Sequence, residues 1–248
     1  LVSKALDTLV DHKILLLTDG KYRITSDDEQ RLLDEMSSFS VQTFKKKQSV
    51  INAYKSTSFF KGVSKISDSS SAYDFYVTSD NDDEITNPTL KYLKIRVKNI
   101  YSIGDNRTSE LEQIKSQYQN VQDVVWLVPD NSNFKEIDKL LDEIERIKFI
   151  EEKYANPLSK EAQIVRSFQA VRSNKENRFK ELVEQSLMEC TTIYLYNTAQ
   201  LDSANWQATI NGVQRQVIQN VYSQRLSSQL SDGIAEKIIK EGNSERLH

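Results

Sequence analysis

Val124-Val125-Trp126-Leu127-Val128-Pro129-Asp130 is an unbroken apolar run stopped by proline and aspartate. A short run without polar alternation is the pattern of a strand covered on both faces, and such strands belong to sheets flanked by helices. Downstream, Phe134, Ile137, Leu140, Leu141, Ile144 and Ile147 share one helical stripe, with charged residues elsewhere along the same stretch. Upstream, Tyr73–Thr78 and Leu90–Ser102 are rich in β-branched and aromatic residues, and the acidic loop Asp80–Glu84 with Pro88 separates them. Within the second of these, Leu93, Ile95 and Val97 alternate with Lys94, Arg96 and Lys98, a period of two that places three bases on one face. A helix follows, with Ser109 and Glu112 spaced as a capping box. Residues 73–154 therefore read as an α/β unit.

The segments on either side read differently. Val2, Ala5, Leu6, Leu9 and Val10 lie on one helix face. Two strand-like runs follow, Ile14–Thr18 and Lys21–Thr25, joined by Asp19-Gly20, which suits a two-residue type I′ turn. Ser26-Asp27-Asp28-Glu29 is a capping box that opens a helix through Leu32, Leu33 and Met36. Helix, tight hairpin and helix in this order look like the back half of a winged-helix unit, and the chain is expected to be a piece of a longer protein. Residues 41–66 begin as a helix carrying Phe44, Val50, Ile51 and Tyr54, and Ser67–Ala72 reads as a loop. Asn156-Pro157-Leu158-Ser159 introduces a long helix to about Glu189. Ile164, Phe168 and Val171 mark its first half, and Phe179, Leu182, Val183 and Leu187 its second. Arg172–Arg178 between them is wholly polar, so the helix is expected to leave the core or break there. Thr191–Asn197 reads as a strand, and Gln207–Leu230 and Ile234–Glu241 as helices, the first packing through Ile210, Val213, Val217, Val221 and Tyr222 or a neighbouring stripe. The fold class is α+β and mostly helical. A partial winged-helix unit covers residues 1–38, a small α/β module with basic clusters 39–155, and a region of long helices with a short strand 156–248.

Composition excludes several chemistries. The chain of 248 residues has 6 glycines and 3 prolines; ordinary usage would give roughly 17 glycines. The six never gather in one short motif, so the chain has no Gly-rich loop to bring backbone N–H groups against a phosphate. A single cysteine, Cys190, excludes an internal disulfide and multi-cysteine metal sites. His12 is the only histidine besides the last residue, His248, so His-based metal and triad chemistry lacks raw material. Asp130 at the end of an apolar strand resembles a Walker B aspartate superficially, but without a phosphate loop the simpler reading is a buried strand whose Asp precedes a helix. No catalytic residue and no metal site are assigned. Net charge is −3, the longest apolar runs are too short to cross a membrane, and the N-terminus lacks a basic-then-apolar leader, so the expected location is cytoplasmic.

Two basic clusters remain as candidate binding residues: Lys45, Lys46, Lys47, Lys55, Lys61 and Lys65, then Lys91, Lys94, Arg96 and Lys98. Clusters of this size suit salt-sensitive contact with DNA or RNA, against the plainer reading of solvated faces. The first helix would offer Ser3, Lys4, Asp7, Thr8, Asp11 and His12 to solvent, and its two acids favour partner docking over base readout. His12 suits a helix C-terminus, Cys190 a core position. Asp82-Asp83 and Glu151-Glu152 sit in a polar loop and on a charged helix, without the desolvation that general acid/base work needs.

Several stretches together resemble the region downstream of the ATPase core in the large P-loop proteins of BREX-type phage-defence systems, the BrxC/PglY-like family. They are Ala5–Asp11 with Asp19–Glu29, the Val124–Asp130 strand, the helix after it through Ile147–Tyr154, Leu158-Ser159-Lys160-Glu161, and Arg178–Asn197 with its Ile193-Tyr194-Leu195-Tyr196 strand. The resemblance implies a parent that is a cytoplasmic nucleotide-hydrolysing component of bacterial anti-phage defence, acting with other BREX proteins on DNA. ATP and Mg are cofactors implied for the parent, with none in this stretch, because nothing here matches the family's phosphate-binding motif. The leading expectation is a non-catalytic fragment serving assembly or partner docking, through other defence proteins or self-association. The alternative is a sequence-independent nucleic-acid-binding module using the lysine clusters; a metal-dependent nuclease- or hydrolase-like enzyme is the remainder.

Overall fold

A computed structural model of the chain describes residues 2–12, 14–18, 20–68, 71–103, 106–156 and 158–222. In order the elements are α1 (Val2–Asp11), β1 (Leu15–Thr18), β2 (Lys21–Ile24), α2 (Asp27–Ser38), α3 (Thr43–Ser56) and α4 (Ser58–Val63). Then come β3 (Lys65–Asp68), β4 (Ser71–Ser79), β5 (Leu93–Val97), a 3₁₀ turn at Ile100–Ser102, α5 (Arg107–Tyr118) and β6 (Val124–Val128). Last are α6 (Phe134–Lys153), α7 (Lys160–Met188), β7 (Thr191–Tyr194), β8 (Asn197–Gln200) and α8 (Trp206–Val221). The fold is α+β and mostly helical, as expected. The expected helix Ile234–Glu241 and the far end of Gln207–Leu230 lie outside the described residues. Two compact units divide the chain, and each joins two separate stretches: Leu1–Thr57 with Asp130–Ser186, and Ser58–Pro129 with the chain from Leu187 on. The three sequential segments of the sequence reading are a different division of the same chain.

In the unit containing the sheet, strands run in the order β3-β4-β5-β6-β7-β8. The central steps β4-β5 and β5-β6 are parallel and the outer ones antiparallel. All five residues of β6 are buried, as the continuous apolar run requires. Register places Trp126 beside Arg96 and Ile193, and Tyr118 of α5 meets the Trp126 ring edge-on at 5.2 Å. Tyr194, one residue on and so on the opposite face, receives a hydrogen bond from Asn220 of α8 at 2.9 Å. Helices α5 and α8 therefore cover opposite faces. On the α8 side, Phe59 packs its ring 4.7 Å from Trp206, and the fully buried Gln214 donates to the Val63 carbonyl at 2.6 Å.

Several local expectations need correction. Ser67–Ala72 is not a loop: Ser67 and Asp68 close β3, and Ser71 and Ala72 open β4, paired Ser67↔Ala72 and Asp68↔Ser71. Their polarity reflects an exposed sheet edge. The strand read over Leu90–Ser102 is regular only from Leu93 to Val97. Helix α5 starts a turn earlier than the Ser109 box implies, because the Asn106 side chain accepts the Ser109 N–H. Thr191–Asn197 is a hairpin, not one strand: Leu195 takes φ 53° and turns β7 back into β8. Gly20 adopts φ +75°, the positive value a tight hairpin turn demands; Asp19 lies outside the described residues.

The helical unit holds the most informative departure. Helix α7 runs unbroken for 29 residues through the polar stretch. Arg172 binds Glu151 at 3.0 Å, Lys175 binds Glu143 at 2.6 Å and Arg178 binds Glu136 at 2.9 Å, so the polar residues form a ladder between α7 and α6. Apolar packing takes over at the ends, where Val165 joins Leu32 and Ile150 in one buried cluster. The predicted capping box is present: Ser26 accepts the Glu29 N–H and Glu29 accepts the Ser26 N–H. Arg23 adds two hydrogen bonds to the Glu29 carboxylate, at 2.8 and 2.5 Å.

Two outcomes follow from this packing. Leu127→Ala, at a site with no exposure, should cost about 3 kcal/mol in urea unfolding, within the range for a buried Leu truncation. The Arg23 guanidinium, with help from Ser26, holds the Glu29 carboxyl below its ordinary value. Its contribution is therefore present above the usual carboxylate range and lost as pH falls through the lower native value. Urea midpoints of wild type and Glu29→Gln should differ at neutral pH and converge well below about pH 4.

Candidate functional site

The basic residues are divided between the two compact units. Lys45, Lys46, Lys47 and Lys55 belong to α3 in the helical unit, whereas Lys61, Lys65, Lys91, Lys94, Arg96 and Lys98 belong to the sheet unit. Lys46 is buried between Asp138 and Asp142, with its ammonium 2.7 Å from each. Lys45 lies 5.8 Å above the Phe39 ring, Lys47 is half-buried, and Lys55, Lys61 and Lys65 are exposed. Lys91 binds Glu84 at 2.8 Å above the Tyr76 ring. On β5, Arg96 binds Asp82 at 2.7 Å, accepts no free role as a surface cation because it also donates to Tyr118 at 3.1 Å, and lies 4.9 Å from the Trp126 ring centre. Lys98 binds Glu110 at 2.9 Å, while Lys94 beside them is half-buried. The alternation on β5 is as read, but the strand is interior to the sheet, and two of its three bases are neutralised by acids.

The other singled-out residues have structural partners. Asp130 accepts the Ser132 N–H at 2.9 Å through its carboxylate, and its own N–H donates to the Ser186 carbonyl at 2.9 Å. His12 donates from Nδ1 to the Thr8 carbonyl at 2.7 Å. Cys190 is fully buried, which pushes its thiol far above the ordinary range. Ser79, also without exposure, donates to Asp83 and accepts the N–H groups of Asn81 and Asp83, so the acids of this loop shape a turn. Glu151 serves the α7 ladder, and Glu152 is exposed. Arg107 passed unnoticed in the sequence: it donates to the carbonyls of Val128 and Pro129 and to Thr191 Oγ1, fastening the end of β6. Among the described residues no group of three His, Cys, Asp or Glu side chains is arranged to hold a metal ion, and no helix is long and apolar enough to cross a membrane.

An apolar groove lies in the helical unit. Leu15 pairs with Ile24 and Leu17 with Tyr22, so the hairpin carries four apolar side chains on one face. Leu15 and Leu17 open onto a groove of about 380 Å³ walled by Leu33 and Met36 of α2, Ile147 of α6 and Phe168 of α7. Leu17, Tyr22 and Ile24 remain 49, 41 and 77 % exposed. Glu143, Arg146 and Lys175 stand among the lining residues. A smaller cavity, about 320 Å³ between α3, α6 and α7, has a rim closed by Lys148 bonded to Glu145 at 2.9 Å and 3.8 Å from Glu176.

The burial of Lys46 gives a direct measurement: Lys46→Met should cost about 2 kcal/mol in urea unfolding, because the Asp138 and Asp142 carboxylates both lose the ammonium that lies 2.7 Å from each, whereas Lys55→Met should stay within about 0.5 kcal/mol. Compared with known proteins, the chain matches no family model, no curated protein and no solved structure.

Proposed function

We propose that this chain is a non-catalytic docking module of a larger bacterial defence ATPase, and that it engages other proteins through the hairpin and its groove. The observation that carries this reading is the apolar face Leu15, Leu17, Tyr22 and Ile24, left open beside an apolar groove. Exposed contiguous apolar surface costs solubility unless a partner covers it, and a concave wall beside it supplies shape. The parentage rests on the resemblance to BREX P-loop proteins; ATP and Mg would serve the parent's nucleotide site outside this stretch.

Nucleic-acid binding is the second reading. It is supported by Lys55, Lys61, Lys65 and Lys94, which make no ion pair with a described residue, and weakened by the acids that already neutralise Lys46, Lys91 and Arg96.

Titration of the purified chain with each of the other proteins of a BREX system, followed by light scattering, should yield a complex with at least one of them. Ile24→Asp and Leu17→Asp should each abolish it while leaving the free energy of urea unfolding within about 0.5 kcal/mol, since both side chains are substantially exposed. Failure of every pair to associate would end the docking reading. Fluorescence polarisation with single-stranded and duplex DNA separates the alternatives: affinity that falls steeply with salt and with Lys94→Gln would favour the nucleic-acid module.

A further inference from the structure

Arg146 is an anomaly at the groove. It projects from α6 among the groove-lining residues, half-buried, with its Nε excluded from solvent and bonded to nothing. Its guanidinium makes no ion pair with any described side chain. The neighbouring charges offer none: Lys175 and Glu143 are occupied with each other at 2.6 Å. Arg172 and Arg178, which α7 turns toward α6, each hold a glutamate, unlike Arg146. The Nε–H is covered by the protein's own atoms, so a partner would meet the guanidinium through its two Nη nitrogens, from which a carboxylate accepts two parallel hydrogen bonds end-on.

We propose that the groove receives an apolar segment of a partner protein that carries a carboxylate, and that this carboxylate pairs with Arg146. The proposal rests on the docking reading and names the partner's chemistry. Leu33, Met36, Ile147 and Phe168 supply the apolar wall, and Arg146 fixes the register of the segment by the position of its one acid. A protein segment fits better than a small alkyl acid because the apolar surface continues beyond the groove to Tyr22 and Ile24, out of reach of a short chain.

The test is selection from a displayed library of random peptides about four helical turns long, against the intact chain, keeping only clones that Leu17→Asp loses. The expected clones carry Asp or Glu at one fixed place among apolar residues. Arg146→Met should weaken each by on the order of tenfold or more, and the peptide's own Glu→Gln change should weaken binding to wild type but not to Arg146→Met. Leu17-dependent clones that bind Arg146→Met as tightly as wild type would overturn the role of Arg146 and leave docking intact. A library that yields no Leu17-dependent clone would remove the docking reading and this inference with it. Dodecanoate bound in an Arg146-dependent way, with no peptide selected, would make the groove a site for alkyl acids and overturn the proposal. Should Arg146→Met not fold, the Glu→Gln peptide against wild type decides alone.

Discussion

The hydrogen bond from the Asp130 N–H to the Ser186 carbonyl, 2.9 Å long, fixes how this chain can be built. The chain leaves β6 at Pro129, makes the antiparallel pair α6 and α7, and comes back for β7 beside the strand it left. That return is possible only if the two ends of the helical excursion meet, and this bond, with the Asp130 side chain capping Ser132, is where they meet. Arg107 acts on the strand side, holding the last carbonyls of β6 and the first side chain of β7 together. Burial of β6 on both faces is the consequence, since a strand with neighbours on either side and helices over each face has no surface left for water.

The α6–α7 ladder shows a second constraint. Long helices need something to hold them along their whole length, and here apolar contact operates near the ends while charge operates in the middle. Half-exposed ion pairs of this kind contribute little individually to stability. Their spacing along two antiparallel helices instead fixes which turn of one helix faces which turn of the other, and hence the width of the groove that α2, α6 and α7 share with the hairpin.

What could be read from the residues was whatever depends on near neighbours in sequence. The apolar run at Val124–Val128, the Ser26–Glu29 capping box and the period-two alternation at Leu93–Lys98 all appear as written, because hydrogen bonding and burial at those places are local. Arg172–Arg178 misled because a polar face looks the same in sequence whether water or a facing row of glutamates satisfies it. Lys46 misled for a related reason: its acids lie on α6, far along the chain, so a buried lysine with two acid partners read as part of a basic surface. The groove was invisible for lack of any local signature, since its walls come from five separate elements; the nearest signal was the run of apolar residues in a hairpin too short to bury them.

Cys190 carries a consequence of a practical kind. It is the one cysteine of the chain, and it lies without exposure under Leu201, whose N–H bonds to its carbonyl at 2.8 Å. Thiol reagents should therefore react slowly with the folded protein. A cysteine introduced at an open position such as Ile24 would be the single handle for a fluorophore or spin label, so the hairpin face can be watched from solution without altering any other residue.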